Sequence, residues 1–146
     1  APFSFKYTFM FLEQAFPNAK FILSVRDSEE QWYESLVKFH SKRFGMNGQV
    51  PTMDDLKRAK RPYNRCVYDN FKMCFGTPDS DMYQKATLIE YYNSHNQMVR
   101  DYFRLVPEKL LEINLSQKVD YGRFGEFIGE DTNEKDFPWE NRTKDL

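Results

Sequence analysis

Phe16-Pro17-Asn18-Ala19-Lys20-Phe21-Ile22-Leu23-Ser24-Val25-Arg26-Asp27-Ser28-Glu29-Glu30-Gln31-Trp32-Tyr33-Glu34-Ser35-Leu36 carries a strand, an arginine and a capped helix in succession. Residues 21 to 25 form a continuous apolar, β-compatible run between Pro17-Asn18 and Asp27-Ser28, the pattern of a parallel strand covered on both faces. Ser28 followed by Gln31 three residues later is a capping box, and Glu29 and Glu30 fall in the first turn, where the helix dipole favours negative charge. A helix is therefore predicted from Ser28 to about Phe44. Ligands of open α/β sheets collect beyond the carboxyl ends of the strands, which is where Arg26 stands. Its planar fork of donors matches a phosphate. Glu29 and Glu30 would repel an anion seated over the helix N-terminus, so a phosphate belongs beside the helix, held by Arg26 and by a hydroxyl further along such as Ser35. The same residues also permit a plainer arrangement, in which Arg26 pairs with Asp27, Glu29 or Glu30 as a surface ion network.

Working outward, Phe9, Leu12, Glu13 and Phe16 follow a helical spacing that Pro17-Asn18 stops before the strand. Trp32, Tyr33, Leu36, Val37, Phe39, His40 and Phe44 make an apolar band too broad for a surface helix, which predicts heavy burial. Gly45, Gly48 and Pro51 break that helix. Short helices are expected over residues 53 to 59 and 65 to 75. Lys57, Arg58, Lys60, Arg61 and Arg65 form a basic cluster there, readable as a solvated loop or as a wall of a cleft that attracts an anion. Residues 79 to 106 read as one long helix with Leu88, Tyr91, His95, Met98, Tyr102 and Leu105 on a stripe. His95 is accordingly expected to be a hydrogen-bonded core histidine rather than a catalytic one. Pro107 ends that helix, residues 109 to 115 read as a second buried strand, and Tyr121, Phe124, Phe127 and Ile128 mark an amphipathic helix that Gly129 terminates. Strands separated by helices imply an α/β fold with a parallel sheet, few strands and mostly helix.

A length of 146 residues bounds the chain to a single domain, large enough to bury about two-thirds of its unfolded surface. Aromatic residues make up 17% of it, which favours a packed core over disorder. A net charge of −1 gives no indication of nucleic acid or of an anionic membrane as partner. Cys66 and Cys74, eight residues apart on one helix, are separated by about 12 Å along its axis and cannot bridge each other. Two cysteines and two distant histidines make no zinc pattern. A reducing, cytoplasmic setting is expected. No stretch reaches the roughly 20 apolar residues of a membrane span, and the first residues lack the layout of a signal peptide.

The segment from Phe16 to Leu36 resembles, nearly residue for residue, the 3'-phosphate-binding segment of sulfotransferases that use 3'-phosphoadenosine 5'-phosphosulfate (PAPS). Tyr91-Tyr92-Asn93-Ser94-His95-Asn96-Gln97-Met98-Val99-Arg100-Asp101-Tyr102-Phe103 is similar to a recurrent helix of one bacterial-type group of that family. Asp136-Phe137-Pro138-Trp139-Glu140-Asn141-Arg142-Thr143-Lys144 is similar to its ending. The resemblance implies a P-loop NTPase-like three-layer α/β/α architecture. It also implies transfer of a sulfuryl group from PAPS to a hydroxyl or amine of a small-molecule or carbohydrate acceptor, without a metal. Arg26 and Ser35 would then clasp the 3'-phosphate of the nucleotide. The turn Asp27-Ser28-Glu29-Glu30 is one residue longer than the family's usual spacing, while Trp32-Tyr33-Glu34-Ser35-Leu36 keeps the family's form.

Such enzymes cradle the 5'-phosphosulfate in a glycine-rich turn. The glycines here, at 45, 48, 76, 122, 125 and 129, form no such loop. Residues 1 to 146 thus read as the C-terminal part of a sulfotransferase domain, expected to be inactive alone and to self-associate through an exposed sheet edge. No general base is assigned, since His40 and His95 both sit on apolar helix faces. Two other classes share parts of this pattern. A P-loop nucleotide kinase-like protein would need a Walker lysine and a magnesium ligand, and a non-catalytic nucleotide-binding or interaction module would bind 3'-phosphoadenosine 5'-phosphate (PAP) without turnover.

Overall fold

The computed structural model describes residues 5–59, 63–130 and 136–137. Its elements run α1 (Thr8–Ala15), β1 (Phe21–Val25), α2 (Glu29–Phe44), α3 (Met53–Arg58), α4 (Cys66–Phe75), α5 (Lys85–Phe103), β2 (Leu110–Asn114) and α6 (Val119–Ile128). The fold is mixed α/β and mostly helical. β1 and β2 pair in parallel, from Phe21 opposite Leu110 to Val25 opposite Asn114. Side chains alternate across the pleat. Phe21, Leu23, Val25 and Leu110 therefore share one face, against which Phe9 of α1 and Val99 and Phe103 of α5 pack. Leu111 and Ile113, on the opposite face, are also buried, and α6 packs against β2. Helices thus lie on both sides of the sheet, consistent with the α/β/α layering of P-loop-like sulfotransferases. Ile22, next to Leu111, is 46% exposed. Each strand has one edge without a strand partner among the described residues.

The strand-to-helix segment matches its sequence pattern closely. Ser28 Oγ accepts the Gln31 backbone N–H at 3.1 Å, as an N-cap should. The return half of the capping box is displaced by one residue, because Gln31 Oε1 accepts the N–H of Asp27 at 3.0 Å instead of that of Ser28. Gly45 ends α2 at a close chain crossing, where an added Cβ would fall 1.8 Å from the Gln49 carbonyl oxygen. Gly129 caps α6 in the left-handed conformation, at φ 80°.

Three expectations are corrected. The α2 band is half-buried rather than deeply buried: Trp32, Tyr33, Leu36, Val37 and Phe44 pack around a second core of Leu56, Phe71, Met82, Tyr83 and Leu88 but keep part of their surface in solvent. α5 begins at Lys85, not near residue 79. The preceding turns, closed by Asp81 N–H to Pro78 O and Gln84 N–H to Asp81 O, instead drive Met82 and Tyr83 into that core. The buried residues of α5 are Leu88, Asn96, Val99 and Phe103, so the buried stripe is rotated from the one the spacing suggests, and Leu105 is 81% exposed.

Candidate functional site

The parallel register brings the carboxyl ends of both strands together at Val25 and Asn114, and Arg26 and Asp27 follow directly. Asp27 is the hub. Its Oδ2 accepts from Gln31 Nε2 at 2.9 Å, and its Oδ1 accepts from Asn114 Nδ2 at 2.5 Å and from Gln117 Nε2 at 3.2 Å. These donors hold its carboxyl below the usual range, Gln31 and Gln117 foremost, with Asn114 and the nearby Arg26 charge adding to the effect. Asn114 is fixed in turn. Its N–H donates to Asp120 Oδ2 at 2.7 Å, and its Oδ1 accepts from Ser116 Oγ at 2.7 Å. Asp120 is buried, and its other oxygen accepts from Arg123 at 2.6 Å. The turn after β1 is thereby tied to α2, to the end of β2 and to the start of α6.

That arrangement bears on the plainer reading of Arg26, as part of a surface ion network. Among the described residues, the Asp27 carboxylate is taken up by amide donors, Glu30 pairs with Lys85, and the Arg26 guanidinium enters no ion pair or hydrogen bond. Among the described residues Arg26 forms no ion pair with Asp27, Glu29 or Glu30. An exposed cation at the carboxyl end of β1, beside an Asp27 and a Glu30 engaged elsewhere, is open to an external anion. The Arg26 backbone N–H donates to Tyr92 Oη at 2.9 Å, and the Tyr92 ring stacks on Trp32 with centroids 4.7 Å apart at an interplanar angle of 21°. Arg100 of α5 forms a bidentate pair with Glu112 of β2, at 2.7 and 2.9 Å, on the same side of the sheet.

Ser35 lies seven residues after the Ser28 cap, nearly in line with it and about 10 Å further along α2. It is half-buried, and its hydroxyl makes no hydrogen bond among the described residues. No hydrogen bond joins it to Arg26.

Other sequence-singled residues fall away from this end. Arg58 pairs with Asp55 at 2.5 Å, Arg65 with Asp69 at 3.7 Å, and Lys57 lies 4.6 Å from the Tyr68 ring centroid. The basic cluster is largely absorbed by local partners. Lys60 and Arg61 lie outside the described residues, as does most of the tail from 136 to 144, of which Phe137 packs its ring edge-on against Tyr121 at 5.1 Å. Cys66 and Cys74 form no disulfide with each other. His95 lines an apolar cavity of about 390 Å³ at the amino end of β1, shared with Phe9, Phe16, Ile22 and Val99. This is the opposite end of the strand from Arg26. The expected hydrogen bond is not made at Nδ1, which is buried with no partner among the described residues, and burial, helped by Lys6, lowers the pKa of His95.

The sulfotransferase domain family matches residues 6–146. The chain belongs to that family. A search of curated proteins finds no match. Among the described residues of this sulfotransferase domain, no helix is long and apolar enough to cross a membrane, and no group of three or more His, Cys, Asp or Glu side chains could hold a metal ion. Tyr92, Asn114 and Gln117 complete the strand-end site without having been singled out for it. A signal was available for Asn114, which ends the second buried strand and so had to lie beside the end of the first in a parallel pair. None was available for Tyr92 or Gln117.

Proposed function

We propose that this sulfotransferase domain uses PAPS as donor and that Arg26, with Ser35, holds the 3'-phosphate of the nucleotide. The observation that carries this reading is the open guanidinium of Arg26, beside which the Asp27 carboxylate is occupied by Gln31, Asn114 and Gln117 and Glu30 is paired with Lys85. A 3'-phosphate fits such a group better than a neutral ligand does, because a charge-assisted, bidentate pair needs no competing partner to be displaced. Ser35 offers a hydroxyl that makes no hydrogen bond within the described residues.

PAPS, when bound, supplies the activated sulfuryl group. Arg26 and Ser35 do not touch that group in this reading. They fix the distal end of the nucleotide, so that binding energy from the 3' side contributes to orientation at the reacting end. Acceptors are hydroxyls or amines of small molecules or carbohydrates, and a cytoplasmic setting suits the chemistry. None of the six glycines forms a phosphate-cradling turn between a strand and a helix. On this reading residues 1 to 146 alone are expected to transfer no sulfuryl group.

The test is calorimetric titration with PAP. Arg26→Ala is expected to weaken binding by roughly 1.5 to 3 kcal/mol, more than tenfold, and Ser35→Ala by roughly 0.5 to 1.5 kcal/mol. Unchanged PAP affinity in Arg26→Ala would overturn the reading, whereas an unchanged Ser35→Ala removes Ser35 alone.

We also propose that the outer edge of β1, beside the exposed Ile22, pairs with a second copy of the chain. Light scattering over a concentration series should show mass rising with concentration, and Ile22→Lys should suppress the rise. A mass that stays monomeric throughout would refute the pairing.

A further inference from the structure

The guanidinium of Arg26 is useful only if the strand end that carries it is held in place, and a single phenol does this from across the fold. Tyr92 sits in the second turn of α5, and its Oη accepts the Arg26 backbone N–H at 2.9 Å. Val25, one residue earlier, is the last residue of the ladder with β2, so the Arg26 N–H is the first strand-end donor beyond it. The phenol thus continues the hydrogen bonding of β1 by one step. Its own ring cannot swing freely, because it is stacked on Trp32, with centroids 4.7 Å apart. Trp32 is held in turn edge-on by Phe75 at 6.3 Å. On the other side of the peptide, Asp27 is fastened to Gln31, Asn114 and Gln117. Arg26 is therefore bracketed: its backbone is fixed on both sides while its side chain is left without a partner among the described residues.

The geometry points to Tyr92 as a positioning residue for recognition of a 3'-phosphate, acting through Arg26. This rests on the reading that Arg26 binds that phosphate. Tyr92 touches no ligand in this arrangement. Its contribution is to preorganise Arg26, and preorganisation appears as affinity for the group concerned rather than as general binding. Arg26 is exposed, so removing the Tyr92 hydroxyl lets water take the N–H, and the loss is one of placement rather than of fold stability. Tyr92→Phe keeps the ring and its stack on Trp32 while deleting the acceptor.

The experiment compares affinities for PAP and for AMP, which lacks the 3'-phosphate, in wild-type protein, Tyr92→Phe and Arg26→Ala, with melting temperature measured on each. Wild type is expected to prefer PAP, Arg26→Ala to lose the preference, and Tyr92→Phe to reduce it roughly three- to tenfold, the range of a single hydrogen bond. AMP affinity and melting temperature of Tyr92→Phe should stay at wild-type values. A wild-type protein without the preference, or an Arg26→Ala that retains it, overturns the 3'-phosphate reading and this inference with it. A Tyr92→Phe with an unchanged PAP-to-AMP ratio, beside an Arg26→Ala that has lost it, overturns the positioning role alone. An equal loss of PAP and AMP affinity together with a lowered melting temperature does the same, since it marks Tyr92 as a packing residue.

Discussion

Phe103→Ala should lower the stability of the domain by about 3 to 5 kcal/mol, the largest effect of any single substitution considered in this fold. Phe103 is 1% exposed, and its ring lies 4.9 Å from Phe21, 5.0 Å from Tyr102 and 6.1 Å from Phe9. It joins α5 to both β1 and α1. Truncation removes the transfer free energy of a phenyl ring and leaves a hole that α1 and α5 cannot close, because α1 is held by Glu13, which accepts from Tyr102 at 3.2 Å and pairs with Lys109. Phe103→Leu leaves a smaller cavity and should cost less. Urea denaturation measures both. A loss below about 1.5 kcal/mol for the alanine variant would show that the two helices do re-close over the space. Because β1 rests on this ring through Phe21, the alanine variant should also loosen the strand that ends in Arg26.

Those parts of the molecule were legible in sequence where local signals agree. Over Phe21 to Phe44, strand propensity, an N-cap serine and acidic first-turn residues all indicate the same boundaries, and the strand and helix form where they indicate. The start of α5 was not legible, because Met82 and Tyr83 are withdrawn into a core made by α3, α4 and α5, a tertiary demand that outweighs helical spacing. The stripe of α5 was misread for a related reason. Leu88, Tyr91 and His95 have the right spacing, but which side is buried depends on where α1 and β1 lie, and Asn96 occupies a core position that no hydrophobic count would place there. At the candidate site, the position of Arg26 at a strand end was legible. Its supporting contacts were not, since Tyr92, Asn114 and Gln117 reach the Arg26-Asp27 pair across 66, 87 and 90 residues of sequence. An acidic neighbour in sequence suggested an ion pair, and only the fold shows that carboxylate to be occupied elsewhere.

His40 makes the stability of the domain depend on pH below neutrality. Its ring is packed among Phe39, Phe44, Phe71 and Tyr83, and Nδ1 lies 2.8 Å from Tyr83 Oη. Burial lowers its pKa from 6.5 to about 4. Among the described residues no carboxylate is bonded to the imidazole to offset that burial. Burial, reinforced by Asp55, raises the pKa of the Tyr83 phenol and keeps it neutral. Between pH 6.5 and 4 the unfolded chain therefore binds a proton at His40 that the folded chain refuses. Stability is fully present above pH 6.5 and is lost as pH falls through that window, by up to about 3 kcal/mol at its lower end. His95, whose pKa is also lowered by burial, acts in the same direction. Carboxylates with lowered pKa values, Asp27, Asp55 and Asp120 among them, withdraw their own contributions at lower pH still. Urea melts at pH 7, 6, 5 and 4.5 on wild type and on His40→Gln separate these terms. Wild type should lose stability steadily across the series, and His40→Gln, though less stable at pH 7, should show a clearly smaller slope above pH 5. Parallel slopes in the two proteins would mean that the acid sensitivity arises elsewhere and that the imidazole of His40 can be protonated in the folded state.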